Sequence, residues 1–347
     1  MRKGLVFLPF ILFLISLAKG TEITLYENFA EVARPVALEG GVFAWRPSER
    51  LSGTLVGDLV WLSGARERLR VWRGSELLIY AKGEEARLHY LTRGLTGRLG
   101  YRLHLDSGAF AAWLRVENGL DEPVEAEGLT FVAGEVPLEE AAPRVEALAL
   151  AKRVQKEAPA FTFQGGLGGV FRYRLDRPVT LYPDRTELPF FRSVVKPKLI
   201  WRYGGGFVRA SRLRLFRLYR FSAPLNLSPG TVDVFAAGTF IGRSRIARTY
   251  KGRPAEVGLG VAERARVERR VEVLEESQDR RRYRVTTRVT NEGDESARVE
   301  IEERFNGKGL NLVLPEGERV PMGYRIHFDL APGASHAYTF EATLVLR

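Results

Sequence analysis

The feature that most constrains this chain is a two-residue alternation of apolar and charged side chains in its last third. Over 266–276, Val267, Val271 and Val273 fall on one face and Arg266, Glu268, Arg270 and Glu272 on the other. Over 282–290, Tyr283, Val285 and Val289 oppose Arg282, Arg284 and Arg288. Ala297, Val299 and Ile301 then alternate with Arg298, Glu300 and Glu302, and a final run sets Tyr338, Phe340, Ala342, Leu344 and Leu346 on one face. A period of two is a strand with one wet face, the pattern of antiparallel sheets. Turns at 291–295 and at Ala331-Pro332-Gly333 separate these runs as loops between strands do. Several such strands at short spacing predict a β-sandwich. A register that places Glu272 opposite Arg284 also places Glu268 opposite Arg288, so cross-strand pairs account for much of the arginine here.

The N-terminal half reads the same way with less clean alternation. Strand candidates lie at 23–26, 69–72, 77–80, 101–105 and 112–116, punctuated at Gly40-Gly41, Gly94, Asp106-Ser107-Gly108 and Asn118-Gly119. Only 143–157 carries a helical stripe, Val145, Leu148, Ala151 and Val154, and Gln164-Gly165-Gly166-Leu167-Gly168-Gly169 reads as a flexible turn beyond it. The expected fold is all-β: antiparallel β-sandwich domains with a C-terminal immunoglobulin-like sandwich and one short helical or flexible connector. The expected divisions are a cleaved signal peptide at 1–20, an N-terminal β region at 21–138 and a connector at 139–160. Further strands packing with the N-terminal region follow at 161–222, and the C-terminal sandwich occupies 223–347.

Arg2 and Lys3 precede an apolar run of fourteen residues, 5–18, and Ser16-Leu17-Ala18 has the small-x-small cleavage form. A membrane span needs about 20 residues, so the run reads as a secretory signal and leaves no transmembrane anchor in the mature chain. The expected location is outside the cytoplasm, periplasmic or at the cell surface. There are no cysteines, which excludes thiol catalysis, thiolate metal sites and disulfides. With 2 Met, 3 Gln, 6 Asn and 44 Arg against 9 Lys, the chain fits a thermophile, although a GC-rich genome also favours arginine. The mature chain has 50 basic and 42 acidic residues, a net +8. That charge suits anionic envelope polymers, lipid headgroups or DNA, but plain solubility is the preferred reading.

Several segments, in order, resemble one family. Ile23-Thr24-Leu25-Tyr26 with Val32-Ala33-Arg34-Pro35-Val36 is similar to its opening strand pair. Val116-Glu117-Asn118 followed by Leu129-Thr130-Phe131-Val132-Ala133-Gly134-Glu135-Val136 is similar to its central core. Phe171-Arg172-Tyr173, Pro178-Val179-Thr180-Leu181 and Leu188-Pro189-Phe190-Phe191 match a further stretch. Leu227-Ser228-Pro229-Gly230-Thr231-Val232, Phe240-Ile241-Gly242 and Val289-Thr290-Asn291-Glu292 complete the pattern. The chain thereby resembles the exported domain-of-unknown-function family found at the C-terminus of mucoidy-inhibitor-A-type proteins. The resemblance implies an all-β protein of the bacterial envelope and supplies no catalytic residues. Gly97 stands where that family usually has Trp, and the coiled coil of its longer members is absent.

No motif for chemistry emerges. His89, His104, His327 and His336 form no metal-ligand spacing, and His327, between Ile326 and Phe328, falls on a polar strand face. There is no Gly-x-Ser-x-Gly elbow, P-loop or dinucleotide fingerprint. The carboxylate pairs Glu84-Glu85, Glu139-Glu140, Glu275-Glu276 and Glu302-Glu303 read as solvated charge. Trp113 reads as buried, and Trp45 and Trp201, each beside an arginine, as surface candidates for a sugar-stacking platform, with core or interface packing the preferred reading of the tryptophans.

Arg212-Leu213-Arg214-Leu215-Phe216-Arg217-Leu218-Tyr219-Arg220 interleaves arginines with apolar residues, and its alternation breaks at Leu215-Phe216, as at a β-bulge or a crossing between sheets. Arg212, Arg214, Arg217 and Arg220, with Arg280, Arg281 and Arg282, are the candidate polyanion-binding residues. No catalytic, cofactor-binding or metal-ligating residue is assigned, and no cofactor is expected. The leading expectation is a non-catalytic envelope protein, partnered by other envelope proteins, that works through sheet edges or loops. An Arg-rich module for anionic polysaccharide or DNA is the alternative, and a hydrolase with an unrecognised carboxylate site the third. Oligomeric state stays open.

Overall fold

In the computed structural model, residues 20–134, 136, 161–167, 170–209 and 213–346 are described. The described residues are almost entirely β, with one short helix among them, Glu49–Thr54, whose Ser48 cap accepts from the Leu51 N–H. The all-β fold expected from the alternation is present. The signal run and the helical stripe at 143–157 lie outside the described residues. The chain divides into two compact units, Met1–Gly97 with Arg115–Glu187 and Arg98–Leu114 with Leu188–Arg347.

In the first unit a seven-stranded sheet runs in the order Thr162–Leu167, Val170–Leu175, Gly128–Ala133, Glu22–Leu25, Ala30–Ala37, Glu85–Thr92 and Leu55–Ser63. Glu22–Leu25 and Gly128–Ala133 are parallel, which stacks the fully buried pairs Ile23 with Leu129 and Leu25 with Phe131. A Cβ on Gly97 would stand 3.2 Å from both Leu25 and Phe131, so the larger residue of the resembled family has no room. The expected turn at 164–169 is in fact strand as far as Leu167, because Thr162–Leu167 pairs with Val170–Leu175 through a register shift at Phe163/Gly165. A three-stranded sheet, Val42–Trp45, Glu76–Lys82 and Arg66–Arg73, and a two-stranded one, Val124–Ala126 with Val179–Leu181, also belong to this unit.

In the second unit a two-layer sandwich closes over one core. Its six-stranded sheet runs Pro254–Val261, Phe216–Ser222, Lys198–Gly206, Ala297–Arg304, Gly323–Leu330 and Glu318–Val320. Its four-stranded sheet runs Ala265–Glu276, Arg280–Asn291, Ser335–Val345 and Gly309–Val313. Trp201, Val299, Ile301 and Ile326 from one layer pack against Tyr283, Val285, Phe340 and Ala342 from the other. Glu272 faces Arg284 and Glu268 faces Arg288, the register read from the alternation. A bulge falls between Phe216 and Leu218, beside the break in the Arg-rich segment.

The boundary expected at 223 cuts across this pairing. Lys198–Gly206 and Phe216–Ser222 belong to the C-terminal sandwich, the former paired in parallel with Ala297–Arg304. Gly230–Ala236 instead pairs in parallel with Leu95–His104, in a separate five-stranded sheet. Which distant strands become neighbours is not written in local alternation.

Candidate functional site

Of the seven arginines singled out from the sequence, the six that are described do not form one surface. Arg212 lies outside the described residues. Arg214 is exposed just ahead of the strand Phe216–Ser222. Arg217 and Arg220 sit three residues apart on that strand and therefore on opposite faces. Arg217 faces the same side as Trp201, while Arg220 faces outward beside Arg202. Arg280 pairs with Glu275 at 3.8 Å, Arg281 with Glu276 at 3.1 Å and Arg282 with Glu341 at 2.7 Å.

Arg220 enters a closed quartet on the outer face of the six-stranded sheet. It donates from Nε to Glu256 at 2.8 Å and from Nη1 to Glu300 at 2.6 Å. Arg202 donates from Nη1 to Glu256 at 2.7 Å and from Nη2 to Glu300 at 2.8 Å. Burial alone would raise the Glu300 carboxyl, but the hydrogen bonds from Arg220 and Arg202 outweigh it and hold its pKa at about 2. Glu256 is lowered for the same reason, led by Arg202. A neighbouring cavity of ≈ 480 Å³ is lined by Arg298, Glu300, Glu302, Arg325 and His327. Each guanidinium there has a carboxylate partner, so the groove offers no free stripe of positive charge.

Between the two sandwich layers lies an ion pair that the reading of Glu302-Glu303 as solvated missed. Arg269 and Glu303 have side chains at 0% exposure, and Arg269 Nη2 donates to Glu303 Oε2 at 2.8 Å. The Tyr324 hydroxyl donates to the same oxygen at 2.6 Å, and burial pushes the Tyr324 phenol well above its ordinary range. Arg269 stands between Val267 and Val271 and Glu303 two residues beyond Ile301, both on the apolar parity of their strands. The tryptophan readings also change. Trp45 and Trp201 are core, at 5% and 2% exposure, whereas Trp113 is half-buried with the Arg102 guanidinium 4.5 Å over its ring. A ring position beside an arginine in sequence does not decide which sheet face it takes.

The first unit brings together two features with no local sequence signal. The first is a serine–histidine–glutamate relay across three adjacent strands. Leu55–Ser63, Glu85–Thr92 and Ala30–Ala37 are neighbours, with Trp61 opposite His89 and Ala33 opposite His89 on the other side. Ser63 Oγ lies 2.7 Å from His89 Nε2, and His89 Nδ1 lies 3.0 Å from Glu31 Oε1. A carboxylate only accepts, so Nδ1 carries the proton, and Nε2 is left to accept from the serine hydroxyl. Trp61 stacks on the imidazole at 4.9 Å and fixes its plane. Burial raises the nearby Tyr26 phenol to about 12, assisted by Glu31.

The second feature is an uncovered apolar face on the three-stranded sheet. Cross-strand pairing places Val42, Tyr80 and Leu69 in one row and Ala44, Leu78 and Val71 in the next, and all six are half-buried or exposed. The opposite face carries the buried Trp45, Leu77 and Ile79. Arg66–Arg73 ends the sheet order, with Leu69 at 56% exposure and Trp72 at 41%. Arg66, Arg68, Arg73 and Lys82 stand exposed along its rim, while Glu67 is already bound to Arg70 at 2.7 Å. A sheet edge of this kind pairs readily with another extended chain.

Among the described residues no group of His, Asp and Glu is arranged to hold a metal ion, and no helix is long and apolar enough to cross a membrane. No protein-family model matches this chain, and a search of curated proteins finds no match either.

Proposed function

We propose that this chain is an exported protein of the bacterial envelope that serves as a protein-interaction or surface-assembly module. The observation that carries the reading is the Arg66–Arg73 strand, which joins an open sheet edge to an apolar face with a basic rim. Recognition by strand addition uses such an edge for main-chain hydrogen bonds and the neighbouring face for selectivity. Three or four cations on the rim select an acidic partner segment and disfavour a second copy of the same strand. The signal-like run at 5–18 supports export, and the scarcity of Met, Asn and Gln supports a thermophilic source. The motif series around Asn118 and Asn291 supports kinship with the exported family that the sequence resembles.

In-cell cross-linking of a tagged chain, followed by mass spectrometry, tests this. One or two envelope proteins should be recovered at stoichiometric levels, with cross-linked peptides mapping to 66–82. Leu69→Glu with Val71→Glu should abolish the recovery without unfolding the protein, because neither side chain is in the core. Cross-links that survive the double substitution, or that map elsewhere, would sink this surface as the interface.

A further inference from the structure

We infer that Ser63, His89 and Glu31 form a nucleophile-activating triad, giving the first unit an acyl-ester hydrolase activity beyond its proposed interaction role. The three contacts of such a triad are a serine hydroxyl on one imidazole nitrogen, a carboxylate on the other, and a fixed ring between them. All three are present: 2.7 Å from Ser63 Oγ to Nε2, 3.0 Å from Nδ1 to Glu31 Oε1, and Trp61 stacked on the ring at 4.9 Å. The polarity is also correct, since only an Nδ1–H tautomer satisfies Glu31 and leaves Nε2 able to take the serine proton.

The position of the serine matches the task. Ser63 is the last residue of Leu55–Ser63, and Gly64, at φ 82°, turns the chain away from the ladder immediately after it. The Gly64 and Ala65 N–H groups lie in that turn, outside the strands. His89 keeps 16% of its side chain exposed and Glu31 29%, so the relay is shielded yet reachable. The relay lies on a sheet face, with Trp61 as the apolar group stacked on its imidazole. That setting suits a small acyl group displayed as an ester on a larger molecule.

The chemistry balances with water as the only co-reactant. Ser63 Oγ attacks the ester carbonyl carbon as its proton passes to His89 Nε2, and the C–O π pair becomes the oxyanion. The oxyanion collapses, the alkoxide leaves with the proton from Nε2, and an acyl-serine remains. Water then attacks the acyl carbon while Nε2 takes its proton, and collapse returns the proton to Ser63 and releases the carboxylic acid. Glu31 acts on the serine through the imidazole and is a positioning residue.

The test uses the full chain with a fluorophosphonate probe and 4-nitrophenyl acetate. Peptide mapping should find the phosphonyl group on Ser63, and 4-nitrophenol release should show an initial burst as the acyl-serine accumulates. Ser63→Ala and His89→Ala should lower the ester rate about 10³-fold or more. Glu31→Gln should slow phosphonylation, and Glu31→Asp should restore part of the loss, a rescue that a purely structural carboxylate would not give. Thermal unfolding of each variant at the wild-type midpoint separates loss of chemistry from loss of fold. Absence of label on Ser63 in the folded chain, or ester turnover unchanged in Ser63→Ala, would overturn the inference.

Discussion

The Arg269–Glu303 pair shows how much one inward-facing charge can weigh. Glu303 Oε1 and Arg269 Nε and Nη1 lack any hydrogen-bond partner, so the pair is enclosed with its capacity only half met. Replacing one member leaves the other charged and buried, a loss of about 3–5 kcal/mol, whereas replacing both by apolar residues is often neutral. Urea denaturation should therefore find Arg269→Met and Glu303→Leu each strongly destabilised and the double variant close to wild type. Both positions were legible: parity places Arg269 with Val267 and Val271, and Glu303 with Ile301. What parity could not reveal is that the two inward charges, on different sheets, meet. A second pair of residues behaves alike in the two units. Asn118 accepts from Leu120 N–H and donates to Glu122 O and Leu181 O, and Asn291 accepts from Gly293 N–H and donates to Glu295 O and Leu330 O. Asn291→Ala strands three backbone groups at a buried strand end and should cost about 3 kcal/mol by the same measurement.

At the scale of strands, the outer face of the six-stranded sheet gains its order from charge. Phe216–Ser222, Lys198–Gly206 and Ala297–Arg304 are adjacent, and Arg220, Arg202 and Glu300 bridge them together with Glu256. Glu300 has its folded pKa depressed from 4.5 to about 2, so the stability it contributes is complete above 4.5 and is lost as pH falls through 2. Arg202→Met should shrink the loss of stability between pH 4.5 and 2, read as a shallower fall in the urea midpoint over that window. The alternation foretold the hairpin register of Glu272 and Arg284 and the disturbance near Phe216, because both are local properties of a strand. It did not foretell the strand at Thr162–Leu167, where Gly165 and Gly166 carry no side-chain pattern. The Ser63–His89–Glu31 relay was equally hidden, since its members are joined by the order of three strands and not by spacing.

Across the whole molecule, the net charge of +11 overstates what a polyanion would meet. Arg220, Arg280, Arg281 and Arg282 already face glutamates, and Arg217 turns to the other side of its strand. Each phosphate contact contributes about −0.9 to the slope of log affinity against log salt on duplex DNA. If all seven candidate arginines bound one duplex, that slope would be about −6. Distributed and internally paired as these are, they should give a slope no steeper than about −2, the mark of loose attraction to a basic surface. Fluorescence anisotropy with a labelled duplex, titrated from low to physiological salt, measures it directly. A slope near −6 would mean that the glutamates yield their arginines to phosphate, and would move the functional reading from protein partners to an anionic polymer. A shallow slope that is unchanged by Arg280→Ala with Arg282→Ala would show that these two arginines make no phosphate contact and would leave the exposed rim at Arg66, Arg68 and Arg73 as the charge to test against a protein partner.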